Sequence, residues 1–598
     1  MPDTPPAAEY SRRAEARNHQ AARLDRRSKL LGNLKLATVV AFFIAAAFSV
    51  KQHAFSPYWL ALPVTIFAVL VVVHDRVIRA HRLAEKAADI YRRGLARLED
   101  HWAGTGDTGE QFRVPDHVYA DDLDLFGRGS MYELLCTART PMGRETLARW
   151  LLAAASPDEI RERQIAIAEL RSRLDYRETL AITGDDQRSP RQADWLVTWA
   201  ETPVALHMPA LRVISAVLAF AAPAALVYRG LGGDWIPLLV IVAIAAIISS
   251  RLRDRVHLLL DAISAAAGEL ALVSALMACT EREAFTSGWL RARAVGLQHS
   301  RAAPSASLAR LRNLADLANG RHNLFVKLID VPLLYSVQVA FAAEAWRRKH
   351  GDSVRHWLAA LGDIEALVSL STYAFEHPDD PFPDFVPERV PAIFDAQQIS
   401  HPLLSAAKSV RNNVRLGDPA QLLLVSGSNM SGKSTLLRAI GLNVVLAQAG
   451  APVRAARLTM SPVRLGTSIR VTDSLQAGRS GFYAEIVRLR QIMALTEGVK
   501  PVLFLLDELL HGTNSHDRKI GAEGIVRALL ERGAIGVVTT HDLALTAIGA
   551  TASDNRVRNA HFQDHVEDGH MRFDYILRDG VVTKSNALEL MRSIGLDV

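Results

Sequence analysis

A run of eight residues has the types and spacing needed to hold the phosphates of a nucleotide. Gly427 to Ser434 reads G-S-N-M-S-G-K-S and fits the pattern G-x-x-x-x-G-K-[ST]. In that pattern the glycines let backbone N–H groups turn towards the phosphates, the lysine reaches the β- and γ-phosphates, and the last hydroxyl binds Mg²⁺. We therefore predict a site for ATP and Mg²⁺. The predicted nucleotide-binding residues are Gly427, Ser428, Asn429, Met430, Ser431, Gly432, Lys433, Ser434 and Thr435.

Three more polar residues follow apolar runs that have the length of buried strands. Asp507 and Glu508 follow Pro501 to Leu506, and His541 follows Ile535 to Thr540. An aspartate here would hold Mg²⁺, the glutamate would orient or deprotonate the attacking water, and the histidine would sense the γ-phosphate. Alone, an acidic pair or a histidine at a strand end has an ordinary structural explanation, but the order of the three motifs favours function. The predicted Mg²⁺ ligands are Ser434 and Asp507, and the predicted catalytic residues are Lys433, Glu508 and His541.

The phosphate-binding run lies between a strand pattern and a helix pattern, which is the context that this motif requires. Leu422 to Val425 is apolar and precedes it, and Thr435 to Gln448 follows it with the composition of a helix. The two later apolar runs supply further strands. We predict an α/β P-loop domain, in which the helix N-terminus adds the positive end of its dipole to the phosphate site.

A serine lies between the first and second motifs, in the run Gly478-Arg479-Ser480-Gly481-Phe482. The order of all these motifs is typical of ABC-type ATPases. In that scheme a serine after a glycine, near a helix N-terminus, contacts the γ-phosphate bound to the partner subunit. We predict this role in trans for Ser480, and hence a homodimer formed through the ATPase domains. The alternative is an ordinary turn with a helix cap.

Four apolar stretches approach the length needed to cross a bilayer, about 17–25 residues. They are Leu36 to Val50, Pro57 to Val73, Val213 to Tyr228 and Trp235 to Ser250. They form two hairpins with short connections, in a chain of 598 residues with a mean hydropathy of +0.09. The two cysteines, Cys136 and Cys279, have no metal-ligand spacing and fit a reducing compartment.

Basic residues are distributed asymmetrically around these stretches. Many basic residues lie near the ends of the stretches that are remote from the hairpin tips. They are Arg12, Arg13, Arg17, Arg23, Arg26, Arg27, Lys29 and Lys35 before the first stretch, Arg76, Arg79, Arg82 and Lys86 after the second, and Arg251, Arg253 and Arg255 after the fourth. The two tips carry Lys51 and Arg229. This positive-inside pattern predicts a multi-pass protein of the cell (inner) membrane, with both termini and the ATPase domain in the cytoplasm. The alternative is four buried helices of a large soluble core.

The N-terminal basic segment leaves two interpretations open. Arg12 to Lys29 has helix-forming composition, and a basic helix could lie on an anionic lipid surface. A solvated, partly disordered tail fits equally well. Membrane topology thus explains much of the net charge of +6, and the basic composition is weak support for nucleic-acid binding.

The C-terminal motifs resemble the ATPase domain of the MutS mismatch-repair family. The family's G-P-N-M-G-G-K-S-T is similar to G-S-N-M-S-G-K-S-T here. Further resemblances lie at His401-Pro402, Asn412-Asn413-Val414, Ala447 to Gly450, Asp507-Glu508 with Gly512 to Asp517, Thr539-Thr540-His541, Val557 to His561 and Asn586 to Asp597. Weaker resemblance to the family's helical core covers Asp122 to Phe126, Ser130 to Leu135, Thr140 to Leu152, Ile160 to Gln164 and Trp357 to Leu370.

The chain departs from the family pattern in ways that bear on function. No Phe-x-Glu of the kind that reads mismatches occurs in the first 110 residues, and the second apolar hairpin interrupts the core without a separate clamp domain. Gly481 replaces a threonine and His511 an arginine that are common in the family. The resemblance implies a membrane-anchored MutS-like ATPase associated with DNA. The alternative is a membrane ATPase acting on an unknown protein or on lipid without a repair role, and an ABC transporter is disfavoured because four segments supply too small a pathway.

The predicted architecture is an α/β P-loop (ABC-type) ATPase domain after a mostly α-helical MutS-like core, with two transmembrane helical hairpins. The predicted boundaries are 1–34 for the basic segment, 35–75 for the first hairpin, 76–110 for a helical linker, 111–385 for the core, about 208–250 within it for the second hairpin, and 386–598 for the ATPase domain.

Overall fold

The computed structural model describes residues 5–52, 56–184, 195–203, 206, 208–296, 303–387, 391–428, 430–470, 481–510, 515–541, 555–567 and 570–581. The helices are α1 (Pro6–Gln52), α2 (Ala61–Leu98), α3 (Met131–Leu135), α4 (Pro141–Leu152), α5 (Pro157–Ser172), α6 (Leu174–Ile182), α7 (Trp195–Glu201), α8 (Pro209–Gly230), α9 (Ile236–Ser264), α10 (Ala267–Glu281), α11 (Gly288–Gly296), α12 (Pro304–Gly320), α13 (Leu324–Leu333), α14 (Tyr335–Glu376), α15 (Lys433–Ala449), α16 (Gly481–Leu495) and α17 (Ser515–Glu531). The strands are β1 (Asp384–Phe385), β2 (Phe394–Ile399), β3 (Asn412–Leu416), β4 (Leu422–Ser426), β5 (Arg457–Met460), β6 (Arg464–Ser468), β7 (Val502–Asp507), β8 (Ile535–Thr540), β9 (Val557–Glu567) and β10 (His570–Asp579). The chain is mostly helical, and its mixed sheets lie in the C-terminal region, as the sequence predicted.

The chain divides into two compact units. The first comprises Met1–Cys136, Ala148–Ile182 and Ser369–Val598, and the second comprises Thr137–Leu147 and Thr183–Val368.

A six-stranded sheet forms the centre of the C-terminal region in the first unit. Its order is β10-β9-β4-β8-β7-β6, and β10 pairs antiparallel with β9 while the other neighbours are parallel. Strands β4 and β8 are buried along their whole length, because apolar residues cover both faces of a parallel sheet. A glycine is required at Gly536, the second residue of β8, because a Cβ there would lie 2.4 Å from the ring of Phe504.

A smaller sheet, of order β1-β5-β2-β3, packs near α15. The buried amide of Asn443 on α15 joins the two: Nδ2 donates to Ser400 O at 2.9 Å, and Oδ1 accepts from Arg454 N at 2.6 Å. Both ends of this side chain are therefore satisfied inside the domain, as a buried amide requires.

The segment before α3 contacts the ATPase region, and the carboxylate of Asp122 makes several of these contacts. Asp122 accepts hydrogen bonds from Thr467 Oγ1 at 2.6 Å, from Ile469 N at 3.1 Å and from Arg470 N at 3.0 Å. The neighbouring Leu123 is fully buried. The resemblance noted at Asp122 to Phe126 therefore corresponds to a structural contact with the C-terminal region.

Helix α1 unites the basic segment and the first apolar stretch in one helix of 47 residues. Its start packs with α2 and the end of α14, in a cluster of Tyr10, Ala14, Tyr91 and Phe375. Of the two interpretations of Arg12 to Lys29, the helix agrees with the structure and the disordered tail does not, while contact of this helix with lipid stays a prediction. The partners of Tyr10 are remote in sequence, so local composition could not reveal them.

Five described helices are long and apolar enough to cross a membrane by length and composition alone. They are Pro6–Ser49, Tyr58–Leu98, Pro209–Gly230, Ile236–Ser264 and Tyr335–Glu376. The buried share of their most apolar windows is 0, 0, 22, 11 and 89%, respectively. The last, which is α14, is therefore a core helix, whereas the other four expose their apolar side chains.

In the second unit, α10 and α12 pack together, and α8, α9 and α13 contact one another. Trp346 on α14 donates from Nε1 to Ser307 O on α12 at 2.7 Å. Helix α12 ends at Gly320 and α13 begins at Leu324, where the side chain of Asn323 caps α13 by accepting from Phe325 N at 3.0 Å.

Candidate nucleotide site

The predicted motifs meet at one edge of the large sheet because their strands are parallel and end together. Ser426 lies opposite Thr540, and Asp507 lies opposite Thr539. Gly427, Glu508 and His541, which directly follow β4, β7 and β8, therefore lie at the carboxyl edge. Ligands of open α/β sheets commonly bind at this edge.

The lysine of the phosphate-binding loop donates hydrogen bonds to carbonyl groups of the same loop. Lys433, the first residue of α15, donates from Nζ to Gly427 O at 2.8 Å and to Ser428 O at 2.7 Å. Gly432 precedes it with a φ of +102°, a conformation that favours glycine. The hydroxyls of Ser428 and Ser431 are buried and have no hydrogen-bond partner within the described part of the chain. Donors in such positions fit a ligand rich in oxygen atoms.

Burial lowers the pKa of the Lys433 ammonium, and the nearby carboxylates of Glu508 and Asp507 act in the opposite direction. The side chain is 5% exposed, so water stabilises its charge only weakly. A phosphate would supply the missing negative charge.

The two predicted Mg²⁺ ligands contact each other. Ser434 Oγ donates to Asp507 Oδ2 at 2.5 Å, and Thr539 Oγ1 donates to Asp507 Oδ1. The described residues contain no group of three or more His, Cys, Asp or Glu that could hold a metal by themselves. A hydroxyl and one carboxylate nevertheless suit Mg²⁺, which is usually held by one or two protein ligands together with substrate phosphates and water.

Glu508 lies between the lysine and the predicted histidine. Its Oε1 is 3.9 Å from Lys433 Nζ and 3.3 Å from His541 Nδ1. Its backbone has a φ of +47°, and its N–H donates to Thr539 O at 3.2 Å. A non-glycine residue in this region is strained and needs surrounding contacts to hold it. The three predicted catalytic residues are therefore brought together.

A buried carboxylate that the sequence interpretation missed supports this turn. Glu485 on α16 accepts a hydrogen bond at 2.6 Å from the N–H of Leu510, which itself has a φ of +55°. Burial raises the pKa of the Glu485 carboxyl, and the Leu510 N–H partly opposes that shift. Its signal in the sequence was an acidic residue four positions into an otherwise apolar helix start.

A cavity of about 870 Å³ lies over these groups. Besides the loop and the acidic pair, its lining includes His401, Phe482, Glu485, Phe562 and Tyr575. Burial lowers the pKa of His401 to about 4, so this imidazole is neutral at physiological pH. Met430 and Thr435, both predicted to bind nucleotide, also line the cavity.

Tyr575 is a second residue that the sequence interpretation missed. It lies on β10 where the pairing with β9 is irregular, and a Cβ on Gly432 would lie 3.0 Å from its Cδ1. Asn412 on β3 holds the irregularity: its Nδ2 donates to Tyr575 O at 3.0 Å, and its Oδ1 accepts from Leu577 N at 2.7 Å. Only Asn412 carried a signal in the sequence, through the resemblance noted above.

Asn429 and Ser480 lie outside the described residues, so their assignments stay predictions. The same is true of Gly512, Thr513 and Asn514 and of the C-terminal resemblance from Asn586 onward.

Comparison with known proteins now assigns this site to a family. The family described as MutS domain V matches residues 423–597. The chain therefore carries a domain of the MutS family at residues 423–597. It is 35% identical over 211 residues to endonuclease MutS2 of Thermus thermophilus, covering 34% of this chain and 26% of that protein. It is 30% identical over 243 residues to the DNA mismatch repair protein MutS of Geobacillus thermodenitrificans, covering 40% of this chain and 26% of that protein.

The resemblance to MutS predicted from the motifs is therefore confirmed. The match to the same repair protein of Bacillus subtilis is 28% identical over 233 residues and covers 38% of this chain and 26% of that relative. The chain thus matches about a quarter of the length of these relatives, and the family match at residues 423–597 includes Lys433, Asp507 and Glu508 of the cavity described above.

Proposed function

We propose that this MutS-family chain binds and hydrolyses ATP with Mg²⁺. The observation that carries the proposal is the meeting of Ser434, Asp507 and Glu508 beside Lys433, with Ser434 Oγ 2.5 Å from Asp507 Oδ2 and Glu508 Oε1 3.9 Å from Lys433 Nζ. One hydroxyl, one metal-binding carboxylate, one further carboxylate and one ammonium are the groups that phosphoryl transfer to water requires.

Each of these groups has a separate role. Lys433 gives up its hydrogen bonds to the two carbonyl groups, binds the terminal phosphates and offsets their charge. Ser434 and Asp507 would hold Mg²⁺, which supplies charge neutralisation at the β- and γ-phosphate oxygens. Glu508 accepts the proton of the attacking water, and its strained backbone keeps the carboxylate at the sheet edge. His541, 3.3 Å from the same carboxylate, orients it.

The cavity also fits the rest of the nucleotide. Tyr575 is 41% exposed, and its ring lies next to Gly432 of the phosphate-binding loop. An aromatic face is a stacking surface for a base. We propose that Tyr575 stacks on the adenine and that Asn412 keeps the ring in place.

We further propose that the chain is anchored in the cell membrane by two helical hairpins, α1 with α2 and α8 with α9. Support comes from exposure: Phe43 is 66% exposed, Val64 is 54% exposed and Phe220 is 81% exposed. Large apolar side chains exposed in such numbers need a non-aqueous environment. The charge asymmetry of the sequence gives the orientation, with the ATPase domain in the cytoplasm.

The active form is proposed to be a homodimer, because Ser480 would complete the site of a partner subunit. The proposed process is associated with DNA, since the similar proteins are named as mismatch-repair proteins or as an endonuclease. The proposed anchoring hairpins favour the alternative of a membrane ATPase that acts on a protein or on lipid.

Turnover by the full-length protein in lipid nanodiscs tests the catalytic proposal. We expect Lys433→Ala to lose ATP binding, and Glu508→Gln to bind ATP while turnover falls by about 10²- to 10⁴-fold, the usual range for a general base. Ser480→Ala should also keep binding and lose turnover. Glu497→Gln, at an exposed position that does not line the cavity, is the matched control. Wild-type turnover in Glu508→Gln would refute the assignment.

The same nanodisc preparation distinguishes a function on DNA from a function on a protein or on lipid. We expect duplex or mismatched DNA to bind at low salt, where phosphate contacts are strongest, and to stimulate turnover. Absence of DNA binding at low salt, together with turnover that depends on lipid composition, would favour the alternative. Floatation of the protein with liposomes after an alkaline wash tests the anchoring separately.

A further inference from the structure

Helix α13 in the second unit exposes its apolar side chains. Leu324 is 70% exposed, Phe325 is 77% exposed, Leu328 is 69% exposed and Ile329 is 43% exposed. At 3.6 residues per turn these four fall within about 140° of the helix circumference. They form one continuous apolar face, called the α13 face below.

The exposure of apolar side chains in α13 differs from the pattern in the preceding helix of the same unit. Helix α12 buries Leu308 and Leu311 and exposes Arg310 and Asn313, as a helix on a protein core in water does. In α13 none of the residues is buried. A neighbouring pair of helices with opposite patterns indicates that they meet different surroundings.

The α13 face is held in place by contacts at both ends of the helix. Asn323 caps the start by accepting from Phe325 N at 3.0 Å, and Asp330 Oδ1 accepts from Ser336 N at the start of α14 at 2.8 Å. Leu334, just beyond the end, is 1% exposed. The exposed side chains therefore belong to an anchored helix, not to a frayed chain end.

The neighbours of α13 indicate what covers this face. Helix α13 packs against α8 and α9, the two helices of the second hairpin. These helices expose apolar residues of their own, among them Val217 at 60% and Leu239 at 63%. The α13 face is thus in contact with two candidate membrane spans, and it adds to their apolar surface.

The length of α13 determines whether it can cross a bilayer or only lie in its interface. Ten residues make a helix of about 15 Å, half the hydrocarbon thickness of about 30 Å, so it is too short to cross. Amphipathic helices of this kind lie in the interface, with the apolar face about 5–10 Å below the headgroups. Because the chain after the fourth apolar stretch is predicted to be cytoplasmic, the inner leaflet is the one within reach.

We propose that α13 is a membrane-interface helix, with the α13 face inserted in the acyl chains of the cytoplasmic leaflet beside the second hairpin. This inference rests on the proposed membrane anchoring and extends it to a segment that no length criterion selects. The protein would then meet lipid through its helical core as well as through its hairpins.

Site-specific fluorescence quenching tests the proposal. Single-cysteine variants are made in full-length protein carrying Cys136→Ser and Cys279→Ser, labelled with an environment-sensitive dye and reconstituted in phosphatidylcholine–phosphatidylglycerol vesicles. We expect dye at Phe325→Cys and Leu328→Cys to be quenched by a shallow lipid nitroxide and protected from aqueous iodide. Lys327→Cys, on the opposite side of the same helix, should show the reverse. Unchanged ATP turnover confirms that each variant is folded.

A label at Phe220→Cys on α8 separates the two proposals. Lipid quenching at position 220 with iodide quenching at 325 and 328 would overturn the interface helix and leave the anchoring intact. Protection of 325 and 328 from both quenchers would mean that protein, such as a second copy of the chain, covers the α13 face, and would also overturn it. Absence of lipid quenching at 220 would reject the second hairpin and the inference together.

Discussion

Truncation of Tyr575 to alanine should weaken nucleotide binding in a way that identifies the base-binding part of the cavity. Base–aromatic stacking contributes about 1–3 kcal/mol per base, measured by alanine substitution. Tyr575 is 41% exposed, so the ring is not enclosed by protein and we use the lower part of that range. A loss of about 1–2 kcal/mol corresponds to an affinity for ADP that is roughly 5- to 30-fold weaker.

Calorimetric titration of the full-length protein with ADP and with inorganic tripolyphosphate measures this effect. Loss of stacking should weaken ADP binding and leave tripolyphosphate binding unchanged, because the phosphate contacts come from the loop around Lys433. Tyr575→Phe keeps the ring and should bind ADP as the wild type does. Ile576→Ala is the matched control, since Ile576 is 45% exposed and does not line the cavity.

Two outcomes would refute the reasoning. Wild-type ADP affinity in Tyr575→Ala, with unchanged circular dichroism, would show that the base lies elsewhere in the cavity. Equal weakening of ADP and tripolyphosphate would show that the ring acts on the phosphate loop, where it approaches Gly432.

Four further predictions concern the same cavity. Asn412→Ala removes two hydrogen bonds, one to Tyr575 O and one from Leu577 N, worth about 0.5–1.5 kcal/mol each, so ADP affinity should fall while Asn413→Ala leaves it unchanged. Asp507→Asn should raise the Mg²⁺ concentration needed for half-maximal turnover. An unchanged Mg²⁺ titration would show that Asp507 is not a Mg²⁺ ligand. Because burial lowers the pKa of Lys433, its ammonium loses the proton at a lower pH than an ordinary lysine does. As pH rises, ADP affinity should therefore begin to decrease below the usual lysine pKa of about 10.4, and Lys433→Arg should move that decrease to higher pH. Glu485→Ala should lower kcat without changing ADP affinity, since Glu485 contacts the turn after Glu508; equal losses in both quantities would indicate a general folding defect.

The sequence allowed the phosphate-binding edge of the domain to be predicted because its signals are local. Ile535 to Thr540 was predicted as a strand and has those bounds in the structure, since a short apolar run flanked by a turn has few alternatives. The loop between Gly427 and Ser434 needs particular residue types at particular positions, so its pattern is informative without knowledge of the rest of the chain.

The residues that were missed depend on contacts between distant segments. Tyr575 reaches the cavity because β10 is irregular between Phe573 and Leu577, and that irregularity is stabilised by Asn412, which is more than 150 residues away in sequence. Glu485 is recognisable only once α16 is seen to contact the turn at Leu510. Neither of these contacts produces a periodic pattern in the sequence, so neither could be predicted from the local sequence.

The first hairpin shows how far such distant contacts change the interpretation of the molecule. Sequence patterns separate a basic segment, an anchor and a linker, but in the structure α1 and α2 return to the ATPase-bearing unit. Glu376, the last residue of α14, accepts from Tyr10 Oη at 3.2 Å and from Arg97 Nε at 2.9 Å. The Glu376 side chain is 1% exposed, and a buried charge of this kind is stable only with its partners in place. The beginning of α1 and the end of α2 are thus fixed to the residue that leads into the strands. We conclude that the first hairpin is an integral part of the ATPase-bearing unit and is joined to it by a packed, charged contact instead of a flexible tether.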